Sequence, residues 1–134
     1  MRRLPRRAAA RLERERLTTL ARRLGEATSQ RAADWELCEP DVYAWSSSEG
    51  SVSIASRELD GEDAYELFVY NAQHAQVDEL SSVVDGDGAA SWNAPLAELH
   101  RVARRSALRA DDVIDALIEA LPQPAEPAEP TATS

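Results

Sequence analysis

Residues 51–72 read SVSIASRELDGEDAYELFVYNA, two runs rich in β-branched and aromatic side chains separated by Asp60-Gly61. An Asp-Gly pair accepts positive φ at both central positions of a two-residue type I′ turn, and the twist of that turn matches the twist of paired strands. The stretch therefore predicts a β-hairpin. In its first run Val52 and Ile54 alternate with Ser51 and Ser53, as in a strand with one face on a core. The second run, Tyr65-Glu66-Leu67-Phe68-Val69-Tyr70, is apolar on both faces and reads as a central strand covered on both sides. Upstream, Pro40 breaks any helix, Val42-Tyr43-Ala44-Trp45 has strand composition, and Ser46-Ser47-Ser48-Glu49-Gly50 reads as a turn. Three antiparallel strands in meander order follow from the two turns.

Helical periodicity flanks the hairpin. Over residues 8–24, Ala10, Leu17, Leu20, Ala21 and Leu24 fall in one sector of a helical wheel, with Glu13 inside the stripe and Leu12 outside it. Gly25 is placed to close this helix as a C′ residue, or the Ala-rich continuation carries the helix through it toward Ala33. Between residues 71 and 92, Val77, Leu80 and Val84 have helical spacing, whereas Ser81-Ser82-Val83-Val84 before Asp85-Gly86-Asp87-Gly88 suits a fourth strand, the reading favoured here. Asn93 is placed to be an N-cap, with Pro95 in the first turn, for a helix sharing Leu96, Leu99, Ala103 and Ala107 on one face, together with His100 and Arg104. Asp111 opens a last helix with Val113, Ile114, Leu117, Ile118 and Leu121 on one side and Asp112, Asp115 and Glu119 on the other, stopped by Pro122. Residues 122–134, PQPAEPAEPTATS, hold no large apolar side chain and predict a disordered tail.

The expected architecture is α+β: an N-terminal helix, an antiparallel β-meander of three to four strands, two C-terminal helices packed on the sheet, and a disordered C-terminal tail. One domain over residues 8–121 is expected, between a flexible basic arm at 1–7 and the tail at 122–134. The 134 residues leave room for no second domain.

All fifteen basic residues are arginine, and twenty-four acids bring the net charge to −9. The absence of lysine fits the residue usage of a GC-rich genome. The charge is segregated. Residues 1–33 hold ten arginines against three acids, and the remainder five arginines against twenty-one acids. No apolar run approaches the roughly eighteen residues of a membrane span. The basic start lacks the apolar run of a signal peptide, and Glu13 and Glu15 argue against a transit peptide. With a single cysteine, Cys38, and no disulfide framework, a cytoplasmic protein is the expectation.

No constellation carries catalysis. Cys38 with His74 or His100 lacks the cationic setting a thiolate nucleophile needs, since its neighbours are Glu36, Glu39 and Asp41. One cysteine and two separated histidines give no zinc spacing. Asp85-Gly86-Asp87-Gly88 starts like a calcium loop but has Ala89, Ala90 and Leu96 where ligands and a glycine are needed, and Asp60, Glu62 and Asp63 read as a solvated hairpin tip. Trp35, Trp45 and Trp92 border the sheet as core or core-edge residues, and Arg57 is the only basic residue between 34 and 93, which disfavours nucleic-acid stacking there. His100 and Arg104, one turn apart, read as side chains at the edge of a helix contact.

The residues so read assign no catalytic, cofactor-binding or metal-binding role. The expected function is a non-catalytic protein-interaction or regulatory module engaging a protein partner or a second copy. Its expected contact residues are Arg2, Arg3, Arg6, Arg7, Arg11 and Arg14. The alternative is a nucleic-acid-associated protein that neutralises phosphates through that same segment.

Overall fold

The computed structural model describes residues 6–59, 62–83 and 91–123, with the side chains of residues 6–8, 58, 59, 62 and 63 excepted. The Asp60-Gly61 turn, the Asp85-Gly86-Asp87-Gly88 loop and residues 124–134 of the tail lie outside it.

The chain runs α1 (Arg6–Ser29), β1 (Glu36–Glu39), β2 (Val42–Ser47), β3 (Gly50–Leu59), β4 (Glu62–Asn71), β5 (Gln76–Ser81), α2 (Asn93–Ala107) and α3 (Ala110–Ala120). The α+β reading holds, but the sheet has five strands rather than three or four, paired antiparallel in the order β1-β2-β3-β4-β5. The hairpin is β3–β4, in register from Gly50 opposite Asn71 to Leu59 opposite Glu62. At its open end Gly50 has φ +155°, and a Cβ there would press on the Tyr70 carbonyl oxygen, so glycine is required. The extra strand is β1. All four of its residues are exposed, so it carries no alternation to betray it, and Pro40 with Asp41 at φ 62° turns it into β2. A strand does follow β4, but it is Gln76–Ser81 and shares only Ser81 with the expected run; Ser82 and Val83 lie past its end, and Val84 is outside the described residues. Asn71 Oδ1 fixes the turn before this strand by accepting from the backbone N–H groups of Gln73 (2.9 Å) and Ala75 (3.0 Å).

The core lies on one face of this sheet. Tyr43, Ile54, Leu67 and Leu80 are cross-strand neighbours in one row over β2–β5, and all are buried. Leu96, Leu99, Val102 and Ala103 of α2 close over that row, and Leu17, Ala21 and Leu24 of α1 complete the same cluster. Each leucine, isoleucine or valine among them contributes ~1.5–3 kcal/mol by leaving water. On the other face Ser53 stands beside Ala44 and opposite Phe68, and Ser51 opposite Tyr70; none of these joins the core cluster. The apolar outward residues of β4 had suggested cover on both sides. Phe68 and Tyr70 are instead only half-buried, because both core helices take the Leu67 face.

Helix α1 starts at Arg6, two residues inside the expected arm, and runs through Gly25, where an added Cβ would meet nothing within 4 Å. It ends at Ser29, and just beyond it Arg31 takes the left-handed conformation (φ 63°). The N–H of Ala32 donates to Ala27 O and that of Arg31 to Thr28 O, the paired bonds of a Schellman close. Trp35 then enters the core, donating its indole N–H to Thr28 Oγ1 (2.8 Å) and its backbone N–H to Ser106 Oγ (3.0 Å). Asn93 begins α2 but makes no cap bond. Its amide spends both ends on Val83, accepting from the backbone N–H (2.9 Å) and donating to the carbonyl (2.8 Å), and so ties the exit of β5 to α2.

Helix α3 departs furthest from expectation. Its five apolar residues were to pack on the sheet, yet all are exposed. Its neighbour is α2, reached through a two-residue turn in which Arg109 is left-handed (φ 53°, ψ 46°).

Candidate interaction surface

The α3 stripe is Val113 (51% exposed), Ile114 (45%), Leu117 (60%), Ile118 (63%) and Leu121 (65%), preceded by Leu108 (41%). An eleven-residue helix is marginal in water on its own, so something outside the stripe must hold it. Asp111 does so. Its carboxylate pairs with Arg105 of α2 (2.5 Å) and with Arg31 at the end of α1 (3.4 Å), pinning the first turn of α3 to two other parts of the domain. The Arg105 hydrogen bond and charge, with a smaller contribution from Arg31, hold the Asp111 carboxyl below its ordinary range. Asp111 and Asp112 in the first turn also suit the positive end of the helix dipole. The last turn has no basic residue, so Glu119 stands at the negative end uncompensated by its own helix.

The junction that anchors α3 is an open groove of about 870 Å³ between the end of α1, β1 and the C-terminal half of α2. Its cations are engaged by acids of the same chain: Arg31 and Arg105 by Asp111, Arg101 by Glu98 (2.7 Å) and Arg109, more distantly, by Asp112 (3.9 Å). The Glu98 carboxyl is lowered, and the Arg101 guanidinium raised, by their mutual hydrogen bond. These arginines hold the frame together and are not left to capture an anion.

The sequence-selected arginines fare differently from one another. Arg2 and Arg3 lie outside the described residues, and Arg6 and Arg7 form the first turn of α1, which holds no acid. Arg11 pairs with Glu15 on its own helix (3.6 Å), and Arg14 stacks its guanidinium 5.5 Å from the centre of the Trp92 ring. The inner two are thus occupied within the chain.

The thiol and histidines stay apart. Cys38 is exposed on the β1 edge, and His74 lies in the β4–β5 turn on the far side of the sheet. His100 is not at the contact edge as expected but buried, with ring centroids 5.4 Å from Tyr43 and 5.1 Å from Tyr65, and its Nε2 is 3.4 Å from Asp41 O. Arg104 is exposed. Trp35 is core. Trp45 and Trp92 pack at its margin, where the Trp92 indole donates to Ser81 O (2.8 Å). Among the described residues no group of three or more His, Cys, Asp or Glu side chains is arranged to hold a metal, and no helix is long and apolar enough to cross a membrane.

Sequence reading found every residue of the α3 stripe and missed that the stripe is open. Periodicity shows which side chains share a face and carries no local mark of what covers that face.

No family model, curated protein or solved structure matches this chain.

Proposed function

We propose that this protein is a non-catalytic interaction module that binds another protein chain through the apolar face of α3. One observation carries the reading: five large aliphatic side chains, each between 45% and 65% exposed, aligned on one face of a helix whose first turn is fixed to the domain. Scattered surface leucines need no explanation, but a continuous stripe of this kind costs solubility unless a partner covers it. The helix is held by ion pairs at its start and leaves its face for docking, the arrangement of a helix-in-groove contact. Occupation of Arg11 and Arg14 within the chain supports a protein partner over a nucleic acid.

A photo-crosslinking residue at Ile118, with one at exposed Thr19 as control, tests the reading in cells that make the protein. Discrete protein adducts are expected at position 118 only, and Leu117→Asp should abolish them. Equal labelling at both positions, or adducts unaffected by Leu117→Asp, would overturn it.

A further inference from the structure

The apolar stripe of α3 has the same spacing in both directions. Ala110, Val113, Ile114, Leu117, Ile118 and Leu121 recur at intervals of three and one along one sector of the helix, symmetrically about a point midway between Asp115 and Ala116. Turned end for end, the stripe falls on itself. In an antiparallel pair of α3 helices Val113 faces Ile118, Ile114 faces Leu117 and Ala110 faces Leu121, so that each layer occurs twice and the small alanine is met by a large side chain. Every residue from Asp111 to Ala120 is exposed, so α3 stands clear of its own domain over that length.

Charge permits this pairing and disfavours a basic partner. Asp112, Asp115 and Glu119 lie on the side of the helix opposite the stripe, and Asp111, at its margin, is already engaged by Arg105 and Arg31. A second copy thus meets no free like charge at the apolar seam. A cationic partner seated on the same stripe would find Asp115 and Glu119 turned away from it. Antiparallel pairing also sets the positive start of each helix beside the negative end of the other, an end whose last turn has no basic residue.

We infer that α3 is the dimerisation element of this protein: two copies pair about a two-fold axis, α3 antiparallel on α3, through the Val113–Ile118 and Ile114–Leu117 layers. The inference rests on the proposed use of the α3 face and names its occupant. The same patch serves on both subunits, so the contact closes and assembly stops at two. Five large side chains per copy, each 45–65% exposed, bury on the order of 100 Å² apiece, or at most roughly 1,000 Å² over the pair, near the lower end for specific association. Such an area fits a reversible dimer.

Sedimentation equilibrium of the full chain tests it, with Val113→Lys and Ile118→Glu as variants. Wild type should dimerise in the micromolar range, and no more weakly in ~0.5 M than in ~0.1 M salt, because the seam is apolar and screening relieves repulsion between the acids of the two helices. Each variant alone should dimerise roughly tenfold or more less tightly, since both Val113–Ile118 layers then set a charge against an aliphatic side chain. An equimolar mixture should pair more tightly than either. In the mixed dimer the introduced lysine faces the introduced glutamate in one layer and the other layer is native, a match that a parallel pair would not make. Both positions are exposed, so the variants fold, and melting curves check this. Independently of any charge change, a photo-crosslinker at Ile118 of the purified chain should give an adduct of twice the mass of one chain, mapping near Val113 of the other copy. A wild type monomeric at roughly 100 μM, variants that dimerise like wild type, a mixture no tighter than its components, or a purified chain without a self-adduct would each overturn the inference. If the wild type is monomeric while Ile118 captures a different protein in cells, the dimer fails and the interaction module stands. If Ile118 captures neither a second copy nor another protein, both fail.

Discussion

At the scale of single residues, Asp111 carries most of the joint that presents α3. Its carboxyl is lowered by Arg105 first and Arg31 second. A lowered carboxylate stabilises the folded arrangement at pH values above its ordinary midpoint, and that contribution is lost as pH falls through the lowered one. Acid, not base, should therefore loosen the start of α3, modestly, because the pairs are exposed. Carbon-detected NMR titration should place the Asp111 midpoint below ~3.9, with Arg105→Gln moving it up. A wild-type midpoint at or above that value would contradict the assignment. Two glycines give opposite expectations. Gly50→Ala must bring a Cβ against the Tyr70 carbonyl at positive φ and should cost ~1–3 kcal/mol in urea unfolding. Gly25→Ala adds a methyl to open space inside a helix and should stabilise by ~0.5–1 kcal/mol. Equal effects of the two substitutions would refute this account of both backbones.

Among the elements, α2 and α3 share strong amphipathic patterns and have opposite fates. Leu99 of α2 is fully buried against the sheet, so Leu99→Ala should cost ~2–5 kcal/mol in chemical denaturation, and a loss under ~1 kcal/mol would mean α2 is not the core helix. Trp35→Phe should cost ~1–3 kcal/mol by removing the indole N–H from the buried Thr28 hydroxyl, which keeps its own donation to Leu24 O (2.6 Å), and by leaving a void where the larger ring packed, and an unchanged unfolding midpoint would show that contact to be dispensable. Periodicity made both helices legible, because it reports which side chains share a face. It is silent on what covers that face, and the α3 stripe was assigned to the sheet for want of the link geometry. The β3–β4 hairpin was legible because Asp60-Gly61 and the alternation of Val52 and Ile54 act over neighbouring residues. Strand β1 was not, since Glu36, Leu37, Cys38 and Glu39 are all exposed on an edge and carry no pattern. Asn93 was read as a cap because its local sequence fits one; the bonds to Val83, ten residues back, are tertiary and leave no local mark.

Over the whole molecule, a closed sheet core and an open apolar helix face stand side by side. The start of α3 is joined to the end of α1 and to α2 through Arg31, Asp111 and Arg105, while its apolar face stays exposed. The junction groove is charge-matched internally and the sheet core is complete without α3, so the domain should not depend on the α3 face for its stability. The most direct measurement is the melting temperature of Leu117→Asp at low micromolar concentration, where self-association contributes little. A midpoint within ~2 °C of wild type is predicted, as for other exposed positions, because Leu117 is 60% exposed and bounds no core. A fall of ~10 °C or more would show that the stripe is buried in the folded domain, and would contradict the assignment of α3 as its binding face.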